Sequence, residues 1–409
     1  MQGMDYWVAS EVGRLKQVIL HRPGLEMSRL TPGNKDDLLF DDLLWLDNAQ
    51  AEHDAFAGVL RDAGAEVLYL QNLLTETLGV PEAKEHVLSR VVDERIFGPE
   101  GVEALRSYTD QLPQEALAEF LVGGMTKREW LDRLPEPNSM DTKFMGLDDF
   151  MLNPLPNHLF TRDTSCWVYD GVAINSMSKP ARQRETITYE AVYRWHPLFA
   201  DAGFRRWGEG VIEGRSTVEG GDVLVIGNGA VLVGLSERTA AMGAERMARR
   251  LFKAGSARMV VCVHLPKERA QMHLDTVMTM LDCESFVRYP LFGDRATWVL
   301  RPGAGDSIDI ETHGPEDFRQ VLATALGVPS VRLLVPPYDG LTAEREQWND
   351  ACNVLAVAPG VVVGYDRNKR TSDFLRSHGI EVLEVPGAEL GRGRGGPRCM
   401  SCPTIRAEV

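Results

Sequence analysis

Five times along the chain a helix-like segment stops at a glycine and a β-branched run follows, and this repetition limits the fold more than any other feature. It occurs as "RDAGAEVLYL" at Gly64, "ADAGFRRW" at Gly203, "FKAGSARMVVCV" at Gly255, "TALGVPSVRLLV" at Gly327 and "RSHGIEVLEV" at Gly379. A glycine just past a helix accepts the left-handed turn that releases the chain into a strand. The gaps between these glycines are 139, 52, 72 and 52 residues. Between Thr75 and about Phe150 the strand signal vanishes: Val87, Leu88, Val91 and Val92 repeat at helical spacing, Pro99 and Pro113 suit helix starts, and Thr126 with Glu129 has capping-box spacing. Without that segment of roughly 75 residues the first gap shrinks to about 64, within the range of modular arrays. The reading is an α/β chain of five modules, residues 1–74 and 151–409, interrupted by a helical insert at 75–150.

Modules around a common axis would place chemistry at one recurring position. Glu219 of "EGGD" comes sixteen residues after Gly203, His273 of "MHLDTVMTMLD" eighteen after Gly255, and Cys399 twenty after Gly379. Asp163 of "LPNHLFTRDTS" is the first module's counterpart, displaced by the insert, and Asp275, two beyond His273, points the same way if both lie on a strand. Each has an ordinary structural reading: Asp163 and Asp222 suit turns or caps, a lone histidine is usually hydrogen-bonded scaffolding, and a lone cysteine is a small hydrophobe. Together they describe an anionic pocket around a thiol. Burying several like charges without a counter-charge is costly, so the pocket calls for a cation. That cation would also favour the thiolate of Cys399. A planar cation gripped by two carboxylates is a guanidinium, whose central carbon is an electrophile.

The formal charge of −15 excludes nucleic acid and anionic membrane as partners. "MQGMDYWVASEVGRLKQ" lacks the basic and apolar regions of a secretory leader, and the six scattered cysteines suit a reducing compartment, so a cytoplasmic location is expected. "CMSC" near the end leaves only seven residues after Cys402, too few for the helix of a redox motif, and the other cysteines lie singly in mostly apolar segments, so neither a redox role nor a metal is expected. The glycine run "GRGRGG" follows neither phosphate-cradle pattern; its glycines, with Arg392, Arg394 and the nearby Arg398, read instead as a mobile lid with anion-binding backbone and side chains. Cys402 reads as a replaceable neighbour.

At these residues the chain resembles arginine deiminases of the guanidino-group-modifying superfamily. The resemblance runs nearly end to end, through "SEVGRLKQVILHRPG", "LPNHLFTRD", "EGGD", "MHLDTVMTMLD", "WNDACNVLAVAPGVVVGYDRN" and "ELGRGRGGPRCMS". It implies a five-module pseudo-symmetric α/β propeller with an inserted helical bundle, and a cofactor-free hydrolysis of L-arginine to citrulline and ammonia with water as co-substrate. Carried over by motif, Cys399 is the nucleophile, His273 the general acid and base, and Asp163 and Asp275 the guanidinium ligands, with Glu219 beside His273. The same resemblance implies that Asn157, Arg182 and Arg238 hold the substrate carboxylate. It puts Phe160 and the backbone at Gly393 near the α-amino group, and Arg394 at the pocket mouth. Arg182 and Arg238 also follow shortly after the strand-like runs "GVAIN" and "GAVLVG", and paired guanidinium forks suit a carboxylate. An amidinotransferase, another guanidine hydrolase and a non-enzymatic arginine sensor are the rival readings. The insert offers a surface for homo-oligomer assembly.

Overall fold

Each of the five joint glycines has φ between +66° and +92°, and each lies between a helix and a strand of a mixed α/β fold. The computed structural model describes residues 6–409; residues 1–5, which open the stretch read above as lacking a leader, lie outside the described residues. Five sheets share one three-strand core, in which a middle strand has an antiparallel neighbour on one side and a parallel neighbour on the other. Leu15–Leu20 lies between Cys402–Arg406 and Glu66–Tyr69. Gly171–Ile174 lies between Ser165–Val168 and Arg205–Glu209. Ala230–Leu235 lies between Val223–Gly227 and Met259–His264, a sheet extended by Thr297–Pro302 and Ile308–His313. Ser285–Arg288 lies between Met278–Met280 and Arg332–Leu334, and Val361–Tyr365 between Leu355–Ala358 and Glu381–Val385.

A parallel pair needs a crossover, and in every sheet a helix supplies it: Leu46–Asp62, Glu185–Trp195, Ala241–Ala254, Phe318–Leu326 and Lys369–Ser377. The joint glycine follows that helix and introduces the parallel strand. The middle strands are buried on both faces, as in Val363, Ala173 and Leu232, which accounts for their unbroken apolar runs.

Residues between the first two sheets form the helices Leu70–Thr77, Pro81–Val91, Glu94–Gln111, Gln114–Gly123, Lys127–Leu131 and Met140–Phe144, with a short pair of strands, Met125–Thr126 and Phe150–Leu152. Thr126 and Glu129 make the expected capping box, and Pro113 occupies the N-cap of its helix. Pro99 begins the second half of a helix that kinks at Gly98, where φ is 65°. The apolar face of this segment joins the second sheet: Leu73, Leu74, Val87 and Val91 share one buried cluster with Trp167, Val172, Tyr189 and Val192. No helix among the described residues is long and apolar enough to cross a membrane.

Candidate active site

In each of the five three-strand cores the antiparallel outer strand is preceded, within five residues, by at least one buried polar side chain. Asp163 precedes Ser165–Val168, Glu219 precedes Val223–Gly227, and His273 precedes Met278–Met280. Asn353 precedes Leu355–Ala358 and Cys399 precedes Cys402–Arg406. All five are at most 4% exposed. The five sheets thus contribute two carboxylates, an imidazole, an amide and a thiol from the same structural position. Asp163, His273 and Cys399 line one cavity with Asn157, Phe160, Arg182, Arg238, Gly393 and Arg394, which encloses about 20 Å³ of free space. That is room for roughly one water.

His273 is held from both ring nitrogens: Nε2 is 2.8 Å from Glu219 Oε2, and Nδ1 is 3.6 Å from Asp163 Oδ1. Burial pulls the imidazole pKa down, but the Asp163 charge, the Glu219 hydrogen bond and the charge of Asp222 outweigh it and raise the pKa to about 9. The ring is therefore a cation at neutral pH. Beneath it, Asp222 accepts from Ser236 Oγ at 2.7 Å and from the Leu274 N–H at 2.9 Å, anchoring the turn that carries His273. Burial pushes the Asp222 carboxyl up to about 7.

His273 and Asp275 do not lie on a strand, as their spacing suggested. His273 is the extended residue that opens a 3-10 turn, Leu274–Thr276, because Leu274 and Thr276 must bond back to Asp222 and to the His273 carbonyl. The turn separates the two side chains, so that Asp275 faces Cys399 while His273 faces Glu219. Asp275 Oδ2 accepts from Arg398 Nη1 at 2.7 Å and lies 3.6 Å from Cys399 Sγ. Its other oxygen, Oδ1, is buried without a hydrogen-bond partner.

Cys399 is protonated at rest. Burial pushes its thiol well above the usual cysteine range, and the charges of Asp275, Asp163 and Asp350 push further, opposed by Arg398. The resting pair is thus a thiol and an imidazolium.

The arginines behave differently from the sequence expectation. Arg182 is 2% exposed and committed to carboxylates: Nη1 is 2.5 Å from Asp163 Oδ2, while Nε and Nη2 contact Glu185 at 3.0 and 2.9 Å. Its Nη2 also donates to the carbonyls of Asn157 and Phe160. Arg238 binds Glu237 at 2.9 Å and Glu219 at 3.3 Å. Asn157 spends its amide on the Leu38 carbonyl at 2.7 Å, and the Phe160 ring stacks on Phe40 with centroids 6.1 Å apart. Arg394 lines the cavity but is 3% exposed, not at an open mouth. Its guanidinium carbon lies 3.7 Å from the Trp348 ring centroid, and none of its side-chain nitrogens has a hydrogen-bond partner. The lid reading of the terminal arginines fails for Arg398, which is 1% exposed and clamps Glu11 and Asp275. Arg392, by contrast, is exposed and pairs with Asp42 and Glu389. Cys402 is fully buried and bonds to Ser165.

Asp163, Glu219 and His273 offer ligand atoms within 4.8 Å of one another, close enough for one ion to reach. Two of the three already face buried guanidinium groups, so protein cations meet their charge.

Glycine lets the backbone come this close. A Cβ on Gly221 would sit 2.6 Å from His273 Nδ1 and 2.9 Å from Asp163 Oδ1. Gly221→Ala should therefore displace the imidazole and lower kcat by about 10²-fold, as measured by steady-state turnover, while the melting temperature falls only modestly.

Sequence reasoning missed Asn353, Asp222 in its anchoring role, and Glu11 with Arg398 beneath the site. Burial pushes the Glu11 carboxyl up, but Arg398 and Arg162 outweigh it, and its pKa falls to about 2. A carboxylate depressed on folding stabilises the native state above its unfolded pKa and loses that contribution as pH falls. Glu11 should thus give up about 3 kcal/mol between pH ~4.5 and ~2, read as a steep fall in denaturation midpoint that Glu11→Gln removes.

Residues 36–406 match the family model described as arginine deiminase. Among solved structures the chain is similar to DDAH from Pseudomonas aeruginosa, a cysteine-to-serine mutant complexed with citrulline, at 17% identity and a TM-score of 0.51, covering 95% of this chain and 99% of that one. It is also similar to SxtG, an amidinotransferase from Microseira wollei in the saxitoxin biosynthetic pathway, at 13% identity and a TM-score of 0.57, covering 99% and 98%. At these identities the structural likeness shows the fold.

Proposed function

Because the chain belongs to the arginine deiminase family, we propose that it hydrolyses free L-arginine to L-citrulline and ammonia through a covalent adduct on Cys399. The observation that carries this reading is the buried Asp275 Oδ1, which has no hydrogen-bond partner. It belongs to a carboxylate whose other oxygen lies 3.6 Å from the thiol of Cys399, a residue that lines the cavity together with Asp163 and the imidazolium of His273. A guanidinium is the cation that satisfies both carboxylates through paired N–H donors. The hold of Asp163 on the guanidinium of Arg182 at 2.5 Å shows what that carboxylate accepts.

In the reaction we infer, arrival of the substrate cation offsets the field of Asp163 and Asp275, and Cys399 releases its proton to solvent. The thiolate forms a bond to the guanidinium carbon. His273, already protonated, gives its proton to one terminal nitrogen; the C–N bond breaks, ammonia leaves and a thiouronium cation remains. Neutral His273 then takes a proton from water, the hydroxide adds to the same carbon, and the S–C bond breaks to return the thiolate. Citrulline leaves after losing its extra proton to solvent. Arg182, Arg238, Asn157, Phe160, Gly393 and Arg394 are proposed to seat the amino-acid end, for which Arg182 and Arg238 must exchange present partners.

The repeated sheet core supports the finer architectural reading: a five-module propeller of residues 1–74 and 151–409 around the cavity, with residues 75–150 as a helical insert. Six free thiols among the described residues suit a cytoplasmic setting. A side-by-side assay of L-arginine, agmatine, N-methylated arginines and arginine plus glycine tests the substrate. Citrulline and ammonia from L-arginine are expected. Amidine transfer to glycine would make the chain an amidinotransferase, and no product from any substrate would overturn the enzyme reading.

A further inference from the structure

Asn353 is the fifth polar residue delivered by the sheets, and it touches the reacting sulfur. The residue is fully buried. Its Oδ1 accepts the Cys399 N–H at 3.0 Å, and its Nδ2 lies 3.1 Å from Cys399 Sγ and 3.1 Å from the Asp275 carbonyl. The backbone contact fixes the amide's orientation, since the oxygen must face an N–H and so the nitrogen must face the sulfur. A neighbouring glycine makes room: a Cβ on Gly396 would meet the Asn353 carbonyl oxygen at 2.6 Å.

Around the sulfur the balance of charge is unfavourable. Asp275, Asp163 and Asp350 face it with negative charge, Arg398 and Arg394 with positive charge, and the Tyr365 phenol lies within electrostatic reach. A neutral N–H donor aimed at sulfur stabilises a thiolate there without adding a cation that would repel a guanidinium.

On the reading that Cys399 attacks a guanidinium, we propose that Asn353 is a catalytic residue, its Nδ2–H donating to the Cys399 sulfur and holding the thiolate in line with the electrophilic carbon. The same donor serves the sulfur again when the S–C bond breaks and the negative charge returns to it. No proton is transferred by the amide in either step.

Asn353→Asp tests this because it keeps the shape and the acceptor for the Cys399 N–H, removes the donor and adds negative charge. The thermal midpoint, the pH dependence of Cys399 alkylation by iodoacetamide, and kcat and KM for L-arginine are measured on the full chain. The expected result is an alkylation midpoint at least about one pH unit higher than wild type, with kcat lower by about 10²-fold and KM altered much less. Asn353→Ala should shift both in the same direction by less, and it stands in if the Asp variant does not fold. Coincident alkylation profiles with kcat within about threefold of wild type would overturn the proposal. Separated alkylation profiles in a chain that does not turn over arginine would leave the role of Asn353 standing and remove the arginine reading. Coincident profiles in a chain that does turn it over would do the reverse.

Discussion

Cys399→Ser should still bind L-arginine yet lose turnover by about 10³-fold or more, equivalent to roughly 4 kcal/mol in the transition state. The reason lies in the field around position 399. Even the thiol is pushed well above its ordinary range there by burial and by Asp275, Asp163 and Asp350, and a serine hydroxyl, far less acidic, would need a general base. Asp275, 3.6 Å from the sulfur, is held by Arg398, and His273 is already protonated at neutral pH. The substitution leaves Asp163 and Asp275 in place, so equilibrium binding of arginine should persist. Wild-type protein quenched during turnover of radiolabelled arginine should carry label on Cys399, and the serine variant should carry none. Absence of label on the wild type would rule out the covalent route.

His273→Gln should lower kcat by roughly 10²–10⁴-fold, because one ring serves as acid in the first half-reaction and as base in the second. The wild-type pH dependence gives a sharper test. With its pKa raised to about 9, the imidazolium needed for ammonia departure persists through neutral pH and declines as pH rises through about 9. Activity should fall on the alkaline side near that value. Glu219→Gln, which removes the 2.8 Å partner, should move the alkaline limb to lower pH. Stability carries the same sign: a histidine pKa raised on folding stabilises the native state fully below about pH 6.5 and progressively less up to about pH 9. An alkaline limb that does not move in Glu219→Gln would detach it from His273.

The five joint glycines made the helix-to-parallel-strand crossovers of the mixed α/β fold legible, since a helix that must end and feed a parallel strand leaves a glycine at a fixed place. Counting onward from them also located Glu219, His273 and Cys399, because each lies in the return segment toward the next sheet. Asn353 escaped that count: it lies 26 residues past Gly327, beyond the 16 to 20 found elsewhere, because the helix Gly340–Trp348 intervenes. Its type hid it as well, as a neutral amide does not advertise chemistry. Charge pairing was illegible for a different reason. Arg182 and Arg238 look like free carboxylate receptors in sequence, but their partners Glu185 and Glu237 are local, and Asp163 and Glu219 reach them only through tertiary packing. The same holds for Glu11 and Arg398, 387 residues apart.

The strand Cys402–Arg406 lies against Leu15–Leu20, so the sheet that seats the nucleophile is closed by segments from opposite extremes of the described chain. During synthesis on a ribosome, Asp163, Glu219, His273 and Asn353 can be in place while position 399 is still unmade, and Cys399 can be seated only after the last strand has travelled back to the first. Pairing across so long a loop is slow relative to local contacts. The sulfur thus meets Asp163, Asp275 and its counter-charge Arg398 only once the part of the pocket made before it is available to receive it.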